Sequence, residues 1–314
     1  MNKKIALIAT FSVFCVSSAY SQKSKDKAPK VAYLAAYMKG TDEHHLYYAL
    51  AEKDFLFEEI NNGKPILSAS FDDKLIRDPM VFKDEKEIYH MVATVSWKNR
   101  PFTIWDSKDL VNWENERLVD VAPDNATKTW APEIAYDSEN KNYFVYWTGE
   151  INKEWNTASI YYSVTKDFNE FSKPKILYRD TVGILDANII KVDGVYNLIY
   201  RKSKSIWVVT SRNSTGPYSN SYQLTPNNVE GPYVFPLRDR VGYGVVWDYY
   251  GGSAGFGLMT SPDFKNWTRV TNTKKPYYND KVKFPASIRH GNIISLTQRE
   301  LNKLKKAFVV KETL

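Results

Sequence analysis

The 314-residue chain has a single cysteine, Cys15, and no internal run long and apolar enough to cross a bilayer, so insertion into a membrane is not expected. Cys15 falls in a leader-like stretch. Asn2-Lys3-Lys4, then Ile5 to Val16, then Ala19-Tyr20-Ser21 before Gln22 form the basic, apolar and small-residue regions of a secretory signal peptide, with cleavage expected after Ser21. Phe14 stands before Cys15 where a lipoprotein signal needs a small residue, which argues against lipid anchoring. Residues 22–30 read as a flexible basic lead, and residues 31–314 as one folded domain. Beyond the leader there is no cysteine, which excludes disulfides, thiolate metal sites and cysteine nucleophiles together. A strong excess of one charge is lacking too. The 43 basic and 36 acidic residues become 41 and 36 without Lys3 and Lys4, and this dispersed surplus argues against a nucleic-acid partner. Helical periodicity is confined to Thr297–Phe308, where Leu301, Leu304 and Phe308 share one face.

What the chain does have is aromatic residues, 15% of the total, and a repeat. Ile76-Arg77-Asp78-Pro79-Met80-Val81-Phe82 places an acid at a turn-like step and runs on into apolar residues. The plan returns at Trp130-Ala131-Pro132-Glu133, Leu185-Asp186-Ala187-Asn188 and Glu230-Gly231-Pro232-Tyr233, roughly fifty residues apart, the period of one supersecondary unit. A second motif, an Asp-centred turn followed by an aromatic, appears at Asp54, Asp109, Asp167 and Asp263, with a looser copy over Ser211–Tyr218. Between the two motifs lie strand-like runs, four strands to a unit. A fifth inner strand, Phe284–Ile294, has no turn downstream, and the Asp54 turn has no inner strand upstream. The spacing therefore predicts an all-β, single-domain five-bladed β-propeller of four-stranded antiparallel blades, its ring closed by N- and C-terminal strands. In such a ring the acids that open the inner strands meet at one mouth. Converging carboxylates repel one another, so one keeps a proton near neutrality while another stays ionised, the pairing that glycosidic hydrolysis needs.

The ordered set Arg77-Asp78-Pro79, Trp130-Ala131-Pro132-Glu133, Leu185-Asp186-Ala187, Glu230-Gly231-Pro232 and Arg289-His290-Gly291 resembles the glycoside hydrolase family 43 propellers across nearly the whole chain after the leader. The resemblance implies an inverting glycosidase in which Asp78 is the general base, Glu230 the general acid and Asp186 the acid that tunes Glu230. It also implies a hydrated calcium ion in the channel at His290, with no cofactor in the chemistry itself. Glu133 matches none of the three catalytic acids and reads as structural or peripheral. Trp130 either stacks on a sugar or packs in its blade. Arg289 either bonds a sugar hydroxyl or pairs with Glu133, and Arg77 either pairs with an acid or points away. Trp97, Trp207 and Trp247 read as sheet residues. The lead-in Tyr33–Leu50, followed by Asn61-Asn62-Gly63-Lys64-Pro65, looks like a branch common in polysaccharide-degrading bacteria. That implies a secreted enzyme, periplasmic or extracellular, releasing a terminal pentose, most often α-L-arabinofuranose, from oligosaccharides or polysaccharide side chains. β-Xylosidase, β-galactosidase or galactofuranosidase activity, and a non-catalytic carbohydrate-binding propeller, are the alternatives.

Overall fold

The structure, a computed structural model, describes residues 28–308 except 72, 226–227, 250–254 and 272–278. The expected signal peptide over residues 1–21 lies outside the described residues, and the first strand already begins at Lys30. Five antiparallel sheets follow one another, four of them four-stranded and the fifth four strands along its path with Leu67–Ser68 pairing beside it. Blade I comprises Arg77–Lys83, Tyr89–Thr94, Phe102–Ser107 and Glu114–Val119. Blade II comprises Ala126–Asp137, Asn142–Ile151, Ser159–Thr165 and Lys175–Tyr178. Blade III is Ile184–Val192, Val195–Lys202, Ser205–Ser211 and Ser219–Gln223. Blade IV is Val229–Pro236, Tyr243–Tyr249, Phe256–Ser261 and Thr268–Arg269. Each runs outward from its first strand in chain order.

Blade V is composite. Its inner strand is Ile288–Thr297, later by a few residues than the sequence suggests, and its next strands are Lys30–Lys39, Asp42–Ala51 and Glu58–Glu59. Lys30–Lys39 pairs with Ile288–Thr297 over its whole length, from Lys30 opposite Thr297 to Lys39 opposite Ile288. Phe284, expected in that strand, instead stacks on Phe57 at 4.9 Å. Pairing the two ends of the described chain in this way covers the edge each would otherwise present to solvent. The only α-helix among the described residues, Gln298–Ala307, follows directly, closed at its start by a reciprocal capping box between Thr297 and Glu300. Its buried face is Leu301 and Leu304. No helix among the described residues is long and apolar enough to cross a membrane.

Three of the four Asp turns form as the motif requires; at Asp54 the turn is instead closed by the Leu56 amide on the Lys53 carbonyl, and Asp54 itself takes the left-handed conformation. Asp109 Oδ1 accepts the Val111 and Asn112 amides, Asp167 Oδ1 those of Asn169 and Glu170, and Asp263 Oδ1 those of Lys265 and Asn266. The residue after each Asp, Leu110, Phe168 or Phe264, takes a left-handed conformation and is buried. The inner strands carry a second irregularity that matters more for the site. In blades I to IV the pairing slips at Arg77/Met80, Trp130/Glu133, Leu185/Asn188 and Glu230/Tyr233, one extra residue each time. Asp78, Ala131, Asp186 and Gly231 sit in these bulges with φ between 46° and 56°. A bulge breaks the two-residue alternation of a strand and re-aims the side chains beside it.

Candidate active site

The bulges lie at one end of the ring, where a cavity of about 520 Å³ opens. Two kinds of position line it. One is the start of the inner strands: Arg77 and Asp78, Trp130, Leu185 and Asp186, Glu230, then Arg289 and His290. The other is the end of each blade's second strand and the loop after it, which return to the same mouth because the strands are antiparallel. These give Trp97, Trp155, Arg201, Asp248, and Met38 with Gly40. Arg201, Asp248, Trp155 and Glu43 carried no motif in the sequence, and Trp97, read there as a sheet residue, is 43% exposed on the cavity wall. Trp247 is a buried core residue, as read. No local pattern marks Arg201, Asp248 and Trp155; the antiparallel return of the second strand is what brings them to the mouth.

The four repeated carboxylates occupy three levels. Glu230 stands just before its bulge, Asp78 and Asp186 within theirs, and Glu133 two residues after the bulge residue Ala131. Asp78, Asp186 and Glu230 reach the cavity. Glu133 is buried away from its lining, where Oε2 accepts from Asn188 Nδ2 at 2.5 Å and from the Tyr146 hydroxyl at 3.1 Å. Asn188 Oδ1 in turn accepts the Val234 amide at 2.9 Å, so Glu133 belongs to a network joining blades II, III and IV. Burial pushes its carboxyl up to about 8.

Hydrogen bonds within and between neighbouring blades hold the cavity acids. Thr94 Oγ1 donates to Asp78 Oδ2 at 2.9 Å and accepts the Ala131 amide at 2.8 Å. The Asp186 amide donates to Thr148 Oγ1 at 3.1 Å, and Asp186 Oδ2 accepts the Gly231 amide at 3.1 Å. The last inner strand supplies two adjacent cations that go to different acids. Arg289 donates to Glu230 Oε1 at 2.9 Å and to Asp248 Oδ2 at 2.6 Å, while His290 Nδ1 lies 3.0 Å from Asp78 Oδ1. Arg289 thus pairs with Glu230 and Asp248 rather than with Glu133. Asp248 Oδ2 also accepts the His290 amide at 3.0 Å, and Oδ1 has no hydrogen-bond partner among the described residues.

These contacts separate the acids electrically. Burial alone would raise Asp78, but the charge and hydrogen bond of His290, with Arg77 and Thr94, hold it well below the usual carboxylate range. Burial and the charges of Asp248 and Asp186 push Glu230 up to about 7, against the opposing pull of Arg289. Asp186 is raised by burial and by Asp78, with His290 pulling the other way. Despite burial, the acids around His290 keep it protonated up to about 10. Calcium takes six to eight oxygen ligands. Among the described residues no three His, Cys, Asp or Glu side chains converge as a metal-binding group. A calcium ion at His290, as the resemblance implies, would reach the protein through its water shell.

One wall is aromatic. Trp97 meets Trp130 edge-on at 5.6 Å, and Trp130 meets Trp155 at 5.4 Å. The Arg77 guanidinium lies 3.9 Å from the Trp97 ring centre and bonds Glu43, so Arg77 pairs with an acid and braces the wall. Trp207 is not part of this wall; it lies under Lys202 in blade III.

Residues 28–302 match a family model described as "Probable glycosyl hydrolase domain" and related to family 43. An α-L-arabinofuranosidase of Bifidobacterium longum is 21% identical over 365 residues, covering 88% of this chain; the chain spans only 34% of that relative's length. Among solved structures, an endo-1,4-β-xylanase from Bacteroides thetaiotaomicron superposes with a TM-score of 0.59 at 14% identity, over 78% of this chain and 92% of that one. An α-L-arabinofuranosidase from Lactobacillus brevis superposes with a TM-score of 0.50 at 16% identity, over 62% and 72%. At these identities the two structures establish a shared fold.

Proposed function

Since the chain belongs to the glycosyl hydrolase family related to family 43, we propose that it cleaves a terminal glycosidic bond with inversion, using Glu230 as general acid and Asp78 as general base. The observation that carries this reading is the electrical separation of two carboxyls that line one cavity from different blades, Glu230 beside Arg289 and Asp78 beside His290. Glu230, raised to about 7, holds a proton to give to the departing oxygen, while Asp78 stays ionised and takes one from water. The water attacks the anomeric carbon from the face opposite the leaving group, through an oxocarbenium-like transition state. Its proton passes to Asp78 and the sugar departs with the inverted configuration. Room for that water requires carboxyls roughly 6.5–9.5 Å apart. Arg289 and His290, adjacent on one strand, draw Glu230 and Asp78 to different partners and so work against their collapse onto each other. Asp186 acts by charge, keeping Glu230 protonated near neutrality.

The substrate we propose is a non-reducing terminal α-L-arabinofuranose on an oligosaccharide or polysaccharide side chain, met by the chain outside the cytoplasm after export. The arabinofuranosidase of Bifidobacterium longum supports this choice. Trp130, at the start of the aromatic wall, supplies a stacking face for the sugar next to the cleaved one. The test is turnover of aryl α-L-arabinofuranoside, β-D-xyloside, β-D-galactoside and β-D-galactofuranoside by the wild type and by Glu230→Gln. Activity on the arabinofuranoside that falls on the order of a hundredfold or more in the variant supports the assignment. Activity confined to another sugar overturns the substrate, and near-normal turnover by Glu230→Gln overturns the acid.

A further inference from the structure

The tryptophan wall continues beyond the rim of the cavity. Lys128 precedes Trp130 by two residues on the same strand, hence on the same face, and its Nζ lies 4.9 Å from the Trp130 ring and 5.0 Å from the Trp155 ring. The same side chain lines a second hollow, of about 800 Å³, between blades I and II, together with Lys98, Arg100 and Lys153. Lys98 directly follows Trp97, so the wall and the hollow are joined at both ends of the tryptophan row.

The four cations of the hollow face two lining acids, Asp120 and Glu150. Lys128 is held by Glu150 at 2.7 Å, and Arg100 by the Ala122 carbonyl at 3.1 Å and by Asp120 at 3.3 Å. Lys98 and Lys153 are exposed, and neither has an acid partner among the described residues. Charge therefore changes along one path. The cavity end sets Glu43, Asp78, Asp186, Glu230 and Asp248 against Arg77, Arg201, Arg289 and His290 and is close to balanced, whereas the outer end has more cations than acids, two of them ammonium groups available to a ligand.

We propose that this hollow is a leaving-group subsite for a uronic-acid-bearing glycan, with a neutral sugar in the cavity, the next ring on the tryptophans and a carboxylate at Lys98 and Lys153. This extends the glycosidase reading above, which sets the direction in which the ligand lies. A polyphosphate is disfavoured because its charge would continue into a cavity where Arg77, Arg289 and His290 are already paired with acids, and because the one guanidinium in the hollow, Arg100, is already occupied. A glycan neutral at its end and acidic further along satisfies both halves of the path.

The test is titration of the wild type and of Lys98→Ala/Lys153→Ala with a xylo-oligosaccharide that carries a single glucuronic acid away from its non-reducing end and with the unsubstituted xylo-oligosaccharide of equal length, read by tryptophan fluorescence. The wild type is expected to prefer the uronide roughly three- to tenfold at low ionic strength, the scale of two exposed charge contacts. That preference should vanish at about 1 M salt, where charges are screened within ~3 Å. It should also be lost in the double variant, with melting curves confirming that the variant folds. Equal binding of the two sugars by the wild type, a preference that survives in the double variant, or equally tight binding of an oligodeoxythymidylate of the same charge overturns the proposal. Wild-type turnover of the four aryl glycosides is read in parallel. Failure on all of them with the uronide preference intact refutes the catalytic reading and leaves the binding hollow standing, and the reverse pattern refutes the subsite alone.

Discussion

Two carboxyls in one propeller, Asp78 and Glu230, differ because each has its own neighbours, and substitution of those neighbours should move them separately. As Glu230 loses its proton near 7, kcat/KM is expected to fall on the alkaline side with that midpoint, while the acid side stays flat well below the usual carboxylate range. Asp186→Asn removes a negative charge that raises Glu230, so the alkaline limb should shift to lower pH; a limb that stays put or moves upward would contradict the tuning role. Glu133 supports a prediction about stability. The folded chain keeps its proton up to about 8 and the unfolded chain gives it up near the ordinary value of 4.5. Between those values the folded state binds more protons, so stability drains away as pH rises. Glu133→Gln keeps an acceptor for Asn188 and Tyr146 but does not titrate. Its melting temperature should therefore gain on the wild type between pH 5 and pH 8, and parallel curves would show that Glu133 is not the group responsible.

At the scale of the strand, the bulge decides what each inner-strand residue does. Gly231 occupies the left-handed bulge position of blade IV, and a Cβ there would stand 2.9 Å from Cγ of His290. Gly231→Ala combines backbone strain with pressure on the side chain that holds Asp78. It is expected to cost about 1–3 kcal/mol in chemical denaturation and to lower kcat; unchanged stability would mean the bulge relaxes freely. The bulge also explains what the sequence concealed. Repeat period, Asp turns, blade number and composite closure were all legible, because they rest on spacing and turn chemistry. The four acids looked equivalent along the chain, yet a one-residue offset at a bulge separates Glu230, Asp78 and Glu133 into different levels, as any shift in a two-residue alternation must. Asp78, Asp186 and Glu230 could be picked out as a group, whereas Asp248 and Arg201 could not. These lie at second-strand ends, where no local pattern marks them and only the antiparallel return brings them to the mouth.

On the scale of the whole molecule, blade V joins Lys30–Lys39 to Ile288–Thr297, across nearly the full described chain. Most of the other pairings are made between strands that are close in sequence, so blades I to IV can assemble locally while blade V waits for its partner. Cut the ring at this seam, by replacing Ile293 with Asp on the inner strand, and the cost should exceed that of the same change on an exposed strand such as Ser219–Gln223; equal melting temperatures would deny the seam its role. The seam also imposes a schedule on the ribosome. Residues 30–51 emerge early, with Tyr33, Tyr37 and Leu50 needing cover, and the strand that covers them is made more than two hundred residues later, on the order of ten to fifty seconds at usual elongation speeds. Nascent chains stalled before Ile288 should leave this hairpin open to protease and attractive to holdase chaperones. The ring snaps shut only once Ile288–Thr297 has emerged.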